Sequence, residues 1–281
     1  MPNPPQQHLT FFITGSCLGH GLLLSRLVLD KGHNLIATSR SPSRTPDFVD
    51  EILSHPCPGN GSSSTSTTFP PGVINDPETS QNVDIDVLVN SAGFSIHAPA
   101  ELLEGDELRD VMDTMYFGPA RLMRAVLPFM RQRKREVIVN RSSGPGLEAR
   151  ESMGGYAAAK AALDGFSKVL AKEVASSGVR VLTIELGAFT TNMGDNARAG
   201  RRYIEEDLPG DYVGSMADEI TKMLVEKNCG GVADGDPEKA VRAVDEVIVG
   251  EGVGEGKQRE RMLAAFGQGC CKESEERDRR G

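Results

Sequence analysis

The chain has 281 residues, 38% of them apolar, enough to bury one core of the size found in a single α/β domain. Its 31 basic against 40 acidic residues give a formal charge of −9 without a basic stripe, which argues against a polyanionic partner such as nucleic acid. No run approaches the roughly 18 to 20 apolar residues that span a bilayer, and the amino end has no charged segment followed by a cleavable apolar one, so a cytoplasmic protein without a transmembrane segment is expected.

Residues 1–7 read as a polar, proline-rich arm. Leu9 to Ile13 is a short apolar run that enters Thr14-Gly15-Ser16-Cys17-Leu18-Gly19-His20-Gly21, and Leu22, Leu23, Leu24, Leu27 and Val28 follow with helical spacing. The order is strand, glycine turn, helix. Glycines permit torsions that other residues resist and let the main chain approach a pyrophosphate lying on the amino end of the helix, although glycines also build plain turns. After the helix stop at Gly32, Asn34 to Thr38 reads as a buried strand ending at Ser39-Arg40. A carboxylate there would bond a ribose 2′-hydroxyl, whereas an arginine can pair with a 2′-phosphate, so Arg40 favours NADP over NAD; an exposed loop arginine is the competing reading.

Residues 56–72 are low in complexity, with little to bury, and are expected to replace or displace a regular third strand. The stretch from Asp76 to Asp84 is short for a crossover helix, because parallel strands need a connection of about a dozen residues or more. Asp86 to Gly93, reading Asp-Val-Leu-Val-Asn-Ser-Ala-Gly, is a strand whose apolar core ends in small and polar residues. Helical spacing covers 102–117, through Leu102, Leu108, Val111 and Met115, and 119–133, through Leu122, Met123, Val126 and Phe129. Val137 to Val139 reads as a fifth strand, Tyr156 to Ser177 as a helix ended by Gly178, and Val179 to Leu186 as a sixth strand. Residues 192–216 mix Arg198, Arg201 and Arg202 with Glu205, Glu206 and Asp207, charges that either read an acidic substrate or form a solvated face. Pro237 to Val249 is a further helix with Val241, Val244, Val247 and Ile248 inward; Gly250 to Gly256 is a flexible link, and 257–281 a charged tail. The five cysteines and five histidines have no metal-ligand spacing, so free thiols and no metal are expected.

The densest chemical signal lies between the fifth strand and the long helix. Tyr156 and Lys160 are four residues apart, and Ser143 stands 13 positions before the tyrosine. A phenol titrates near pH 10 and is a poor proton donor at neutrality, so it needs a neighbouring cation to stabilise its phenolate. On a helix, residues i and i+4 share a face, which puts the ammonium one turn from the ring. Ser143 supplies a hydroxyl able to hold a carbonyl oxygen beside the phenol. A Tyr-x-x-x-Lys match recurs by chance; the glycine turn, the strand into Arg40 and the Asn-Ser-Ala-Gly strand end separate this one from chance.

With these motifs in this order, residues 8 to 192 resemble the classical short-chain dehydrogenase/reductase family, with weaker similarity to about 250. The resemblance implies a single-domain Rossmann-type α/β fold over 8–256, a doubly wound parallel sheet, with 192–216 as substrate lid and a nicotinamide cofactor, NADP (NADPH) more than NAD. It implies that Thr14, Gly15, Ser16, Gly19 and Gly21 line the pyrophosphate, that Asn90, Ala92 and Gly93 face the adenosine side, and that Thr191 bonds the carboxamide. Ser143, Tyr156 and Lys160 would be catalytic in moving a hydride between nicotinamide and a small carbonyl or alcohol, with Tyr156 and Lys160 also touching cofactor. Family helices often form a dimer face, so a homo-oligomer is expected. Four departures stand out: Met115 where the family has a relay asparagine, Val73 where an aspartate is usual near adenine, the short 76–84 crossover, and Leu186-Gly187 in place of Pro-Gly. A thioether accepts hydrogen bonds weakly and donates none, so an NADP-binding sensor or scaffold of the same fold is the alternative.

Overall fold

The computed structural model describes residues 8–38, 45–54, 84–143, 150–186, 197–225 and 235–252. Strands β1 (Thr10–Thr14), β2 (Asn34–Thr38) and β3 (Val87–Asn90) are followed by the two-residue β4 (Ile96–His97), then β5 (Val137–Ser143), β6 (Arg180–Leu186) and β7 (Arg198–Ala199). Helices α1 (Gly19–Asp30), α2 (Pro46–Ser54), α3 (Gly105–Met112), α4 (Gly118–Arg133), α5 (Gly154–Val174), α6 (Arg201–Glu205), α7 (Met216–Val225) and α8 (Pro237–Val249) lie between and after them. Among the described residues, five strands form one parallel sheet in the order β2-β1-β3-β5-β6, and β4 pairs with β7 in a separate ribbon.

Strand alternation builds two cores from one sheet, since successive side chains leave opposite faces. Phe11 and Ile13 of β1, Val87 and Val89 of β3, and Val137 and Val139 of β5 pack with Leu24 and Val28 of α1 and with Val241, Val244, Val247 and Ile248 of α8. The intervening Phe12, Leu88 and Ile138 pack on the other face against Met123, Val126 and Met130 of α4 and Leu163, Leu170 and Val174 of α5. Both faces are thus covered by helices, the doubly wound arrangement expected from sequence. β1 pairs with β2 on one side and β3 on the other, so the chain reverses direction across the sheet between them. Ligands of such sheets bind outside the carboxyl ends at this reversal.

The inward valines and isoleucine expected on α8 are all buried, and Asp236 caps that helix by accepting from the Glu238 and Lys239 amides. The helix expected over 102–117 begins at Gly105 and runs through α3 and a π-helical turn, Asp113–Phe117, into α4. Ala100–Leu102 makes one 3-10 turn, and Glu104 then opens α3 through a capping box with Glu107. The reciprocal bonds satisfy amides that a continuous helix would not have freed. Leu108 and Phe129, two members of the apolar spacing read from the sequence, are 37% and 58% exposed. The buried stripe of α4 runs Met123, Val126, Met130, a spacing that turns Phe129 outward. β5 continues four residues beyond the expected Val139, because Asn140 to Ser143 pair in register with Thr183 to Leu186 of β6. That extension carries Ser143 to the carboxyl edge of the sheet. The expected third-strand replacement at 56–72, the short 76–84 crossover except for Asp84, Val73 and Gly187 lie outside the described residues.

Two glycines test the backbone logic. A Cβ at Gly178, where φ is +75°, would meet the Lys134 carbonyl oxygen at 2.4 Å, whereas one at Gly165 within α5 meets nothing within 4 Å. Gly178→Ala is expected to destabilise the protein by about 1–3 kcal/mol, and Gly165→Ala to stabilise it by roughly 0.5–1 kcal/mol. Urea unfolding midpoints check both signs.

Candidate active site

The glycine turn joins β1 to α1 at the carboxyl edge. Gly15 and Gly19 have φ of +71° and +54°. A Cβ on Gly15 would fall 2.8 Å from the Ala92 Cα, and one on Gly21 would fall 2.2 Å from the Gly15 carbonyl oxygen. A Cβ is therefore excluded at Gly15 and at Gly21, and the turn packs closely against the end of β3. The Thr14 hydroxyl accepts from the Ser91 and Ala92 amides at 3.0 and 3.1 Å, which locks the two strand ends together. Ser16 is buried and spends its hydroxyl on the Ile13 carbonyl at 2.7 Å. The residues present fit a dinucleotide: a turn with glycines at 15, 19 and 21 at a helix amino end, beside the small residues Ala92 and Gly93. Arg40 and Thr191 lie outside the described residues.

Asn90 anchors a buried polar chain. It donates to the Asn140 Oδ1 at 2.7 Å; Asn140 donates to the Ser167 hydroxyl at 2.8 Å, and Ser167 to the Leu163 carbonyl at 2.7 Å. The chain links β3, β5 and α5 in an otherwise apolar layer, where unmatched polar groups would be costly. It sets the height of α5 against β5 and hence the position of the two functional side chains on that helix.

The structure brings Ser143, Tyr156 and Lys160 together. Ser143 lies close enough to the Tyr156 phenol to act on its titration, and the Lys160 Nζ stands 5.7 Å from the centre of the phenol ring. Both α5 residues are 4% exposed. Burial pushes the phenol above its ordinary pKa, opposed by the Ser143 hydrogen bond and then by the positive charge of Arg141. Lys160 donates to the Arg141 carbonyl at 2.7 Å. Burial, and secondarily Arg141, bring its pKa down to about 7 against the attraction of Asp164, so the amine sheds its proton near neutrality in this state. Asp164 is itself fixed by the Ser142 hydroxyl at 3.0 Å. Met115 is fully buried in a π-helical turn, Asp113–Phe117, packed with Phe94, Ile96, Val111, Met153, Tyr156 and Ala159.

Sequence reasoning passed over two residues of this site, Asn140 and Arg141. Both interrupt a run, Val137-Ile138-Val139, that parallel-sheet burial demands be apolar, and a polar or charged residue in a buried strand is the available signal. Arg141 lies next to Ser91 across the sheet, with its Nη1 donating to the Ser91 hydroxyl at 3.3 Å. It is partly exposed as a residue, yet burial remains the main influence on its guanidinium and lowers its pKa from the ordinary arginine value. His20 of the glycine turn is held neutral, its pKa lowered to about 3 by burial and by the charge of Arg141. Among the described residues, no cluster of histidine, cysteine and carboxylate side chains could hold a metal.

Part of the expected lid, residues 197–216, is described, and its arginines are engaged with carboxylates. Arg201 pairs with Asp106, Arg202 with Glu206, and Arg198 with Asp110 at 3.7 Å while its guanidinium lies 5.2 Å from the centre of the Phe94 ring. Behind them, the Asp218 carboxylate accepts from the Tyr203 hydroxyl at 2.5 Å, from Lys222 at 2.6 Å and from the Gly214 amide at 2.9 Å.

An open parallel sheet with a glycine-lined turn at its reversal and a Ser-Tyr-Lys cluster at its carboxyl edge defines a nucleotide-binding α/β oxidoreductase class. A family model described as short chain dehydrogenase matches residues 10–202. The chain belongs to the short-chain dehydrogenase family of oxidoreductases. It is 32% identical over 186 residues to a 3-ketodihydrosphingosine reductase of Bacteroides thetaiotaomicron, a match that covers 66% of this chain and 65% of that protein's length. Oxidoreductase claN of Passalora fulva is 30% identical over 223 residues, 78% of this chain and 98% of the relative. Among solved structures, a short-chain dehydrogenase from Streptomyces avermitilis matches with a TM-score of 0.72 and 29% identity over 93% of this chain and 89% of that one. A short-chain dehydrogenase from Sphingobium yanoikuyae in complex with NADPH shares the fold, with a TM-score of 0.66 at 17% identity, covering 97% and 94% of the two chains. Among the described residues, no helix is long and apolar enough to cross a membrane.

The Asp218 carboxyl has its pKa lowered to about 2, chiefly by Lys222 and Tyr203. It is covered by its immediate partners although it lies in a thinly packed part of the molecule, so solvent screening reduces what the interaction contributes. A depressed carboxyl stabilises the fold above its unfolded pKa of about 3.9 and stops doing so as pH falls through the folded value. The stability advantage of the native protein over Asp218→Asn is therefore expected to be full at pH 5, to narrow below about pH 4 and to vanish near pH 2. Urea midpoints of the two proteins across that range check it; a gap independent of pH contradicts it.

Proposed function

We propose that the chain is an NADP(H)-dependent oxidoreductase that moves a hydride between nicotinamide and a carbonyl or alcohol substrate, with Tyr156 as general acid and base. The observation that supports this most is the buried Tyr156 phenol, with Ser143 beside it at the carboxyl edge of β5 and Lys160 one helical turn away. The cofactor, when bound, supplies or accepts the hydride. In the reducing direction Tyr156 donates its proton to the substrate oxygen while the Ser143 hydroxyl holds that oxygen in place, and the reverse direction uses the same groups. Lys160 would hold a ribose hydroxyl of the cofactor as well as act on the phenol. The preference for NADP over NAD rests on the sequence at Arg40, and a cytoplasmic setting is part of the same reading.

Two relatives carry names that specify 3-oxo substrates, the 3-ketodihydrosphingosine reductase and a 3-oxoacyl-[acyl-carrier-protein] reductase of Vibrio cholerae. A screen for this protein therefore begins with 3-oxo compounds bearing an alkyl chain. Self-association through α4 and α5 accompanies this reading, because Phe117 before α4, Phe129 on α4 and Val169 on α5 are exposed large apolar residues. Phe129→Glu is expected to shift the sedimentation profile toward monomer; an unchanged profile would count against this face.

A second reading, a cofactor-binding protein with impaired turnover, is favoured by Met115, whose buried thioether cannot donate to a proton relay. Fluorescence titration with NADPH followed by NADPH oxidation with a panel of ketones separates the two. Under the first reading the wild type turns over, and Tyr156→Phe loses at least about a hundredfold in kcat while NADPH binding is retained. Binding without turnover in the wild type, with turnover gained in Met115→Asn, would establish the second.

A further inference from the structure

Arg141 interrupts the apolar pattern of a strand buried on both faces, and the alternation of β5 fixes the direction it takes. Asn140 and Ser142 bond Ser167 and Asp164 of α5, whereas Val137 and Val139 pack on the opposite face with Leu24 and Val28 of α1. Successive strand residues leave opposite faces. Arg141 continues the Val137–Val139 series, so its side chain leaves the sheet on the face that carries α1 and the glycine turn.

There the Arg141 Nη1 donates to the Ser91 hydroxyl at 3.3 Å. Ser91 is itself held against the turn, because its amide donates to the Thr14 hydroxyl at 3.0 Å and a Cβ on Gly15 would fall 3.2 Å from the Ser91 carbonyl carbon. A single residue therefore bridges the guanidinium to the main chain of Gly15. The Arg141 carbonyl, for its part, accepts from the Lys160 Nζ at 2.7 Å, so this residue joins the glycine turn to the helix that carries Tyr156.

A guanidinium carries a fork of N–H donors, and among the described residues its bond here is to the neutral Ser91 hydroxyl rather than to a carboxylate. Asp164 lies on the other face of β5, bonded to Ser142 at 3.0 Å. His20, in the first turn of α1, is neutral and brings no negative charge. Cations withdrawn from water are matched by anions, and the adjoining turn sets the kind of anion. A helix amino end preceded by close-packed glycines suits a diphosphate, and a planar guanidinium suits phosphate oxygens through paired hydrogen bonds.

We propose that Arg141 is a cofactor-binding residue whose guanidinium, presented from the end of β5, bonds the diphosphate of the nicotinamide dinucleotide that the amino end of α1 also holds. The proposal rests on the dinucleotide-dependent reading above and deepens it by adding a full positive charge to a turn made of main chain. NADPH and NADH share the diphosphate, so this charge acts on both. It is thereby separable from the selection for a 2′-phosphate assigned to Arg40.

Calorimetric titration of the full-length protein with NADPH, NADH and ADP-ribose tests this, since ADP-ribose keeps the diphosphate and lacks both nicotinamide and 2′-phosphate. Arg141→Met is expected to weaken each of the three by roughly tenfold or more at low salt, and Arg141→Lys to bind each more tightly than the methionine variant. The deficit of Arg141→Met is expected to shrink as NaCl rises from about 0.02 M to about 0.5 M, because salt screens a charge interaction. Arg141→Gln serves the same comparison should the methionine variant fail to fold. Unchanged affinities overturn the proposal, and so does a deficit that salt leaves constant, which would make the role of Arg141 purely structural. A loss confined to NADPH also overturns it, by assigning the guanidinium to the 2′-phosphate. Wild-type protein that binds none of the three refutes the dinucleotide reading and the proposal together, whereas wild-type binding matched by Arg141→Met refutes the proposal alone.

Discussion

One hydrogen bond ties the chemistry to the scaffold: the Lys160 ammonium on the main-chain carbonyl of Arg141. It crosses from α5 to the end of β5, so the helix that carries the phenol is fixed at the strand that carries Ser143. The Asn90–Asn140–Ser167 chain repeats this attachment one layer deeper. The second is buried and the first partly so, and a hydrogen bond broken where no water replaces the lost partner is expensive. The three functional side chains are therefore held by the same polar links that dock the helix, and loosening one would loosen the other.

Burial works in opposing directions within this arrangement. It pushes the Tyr156 phenol up and draws the Lys160 amine down, which alone would leave both neutral and a proton reluctant to move. The Ser143 hydrogen bond and the Arg141 charge oppose the first effect, and Asp164 opposes the second. Arg198 and Arg201 pair with the α3 carboxylates Asp110 and Asp106, and Arg202 pairs with Glu206. The first two pairs tie this segment to α3.

Much of this arrangement is legible in the sequence where a backbone demand or a short-range spacing enforces residue type. The glycines of the turn are required by positive φ and by contacts that admit no Cβ. Tyr156 and Lys160 are one helical turn apart, and Val241, Val244, Val247 and Ile248 keep a helical period that survives folding. What escapes is set by contacts distant along the chain. Asn140 meets a partner 50 residues earlier and another 27 residues later. The direction taken by Arg141 depends on the register of β5 against β3, which no local pattern encodes. The start of α3 depends on a reciprocal bond between Glu104 and Glu107 that competes with the apolar spacing running across it. Arg40 and Thr191, which sequence places on the cofactor, fall outside the described residues, so cofactor preference stays with the sequence argument.

The most direct test of the account is a crystal structure of the protein with NADP bound. The account predicts the diphosphate over the turn from Gly15 to Gly21 and the nicotinamide end beside the Tyr156 hydroxyl and the Lys160 amine, with the Ser143–Tyr156 hydrogen bond facing open space for a substrate oxygen. A dinucleotide bound elsewhere, or a Tyr156 hydroxyl turned into the apolar packing around Met115 and away from the nicotinamide, would contradict it.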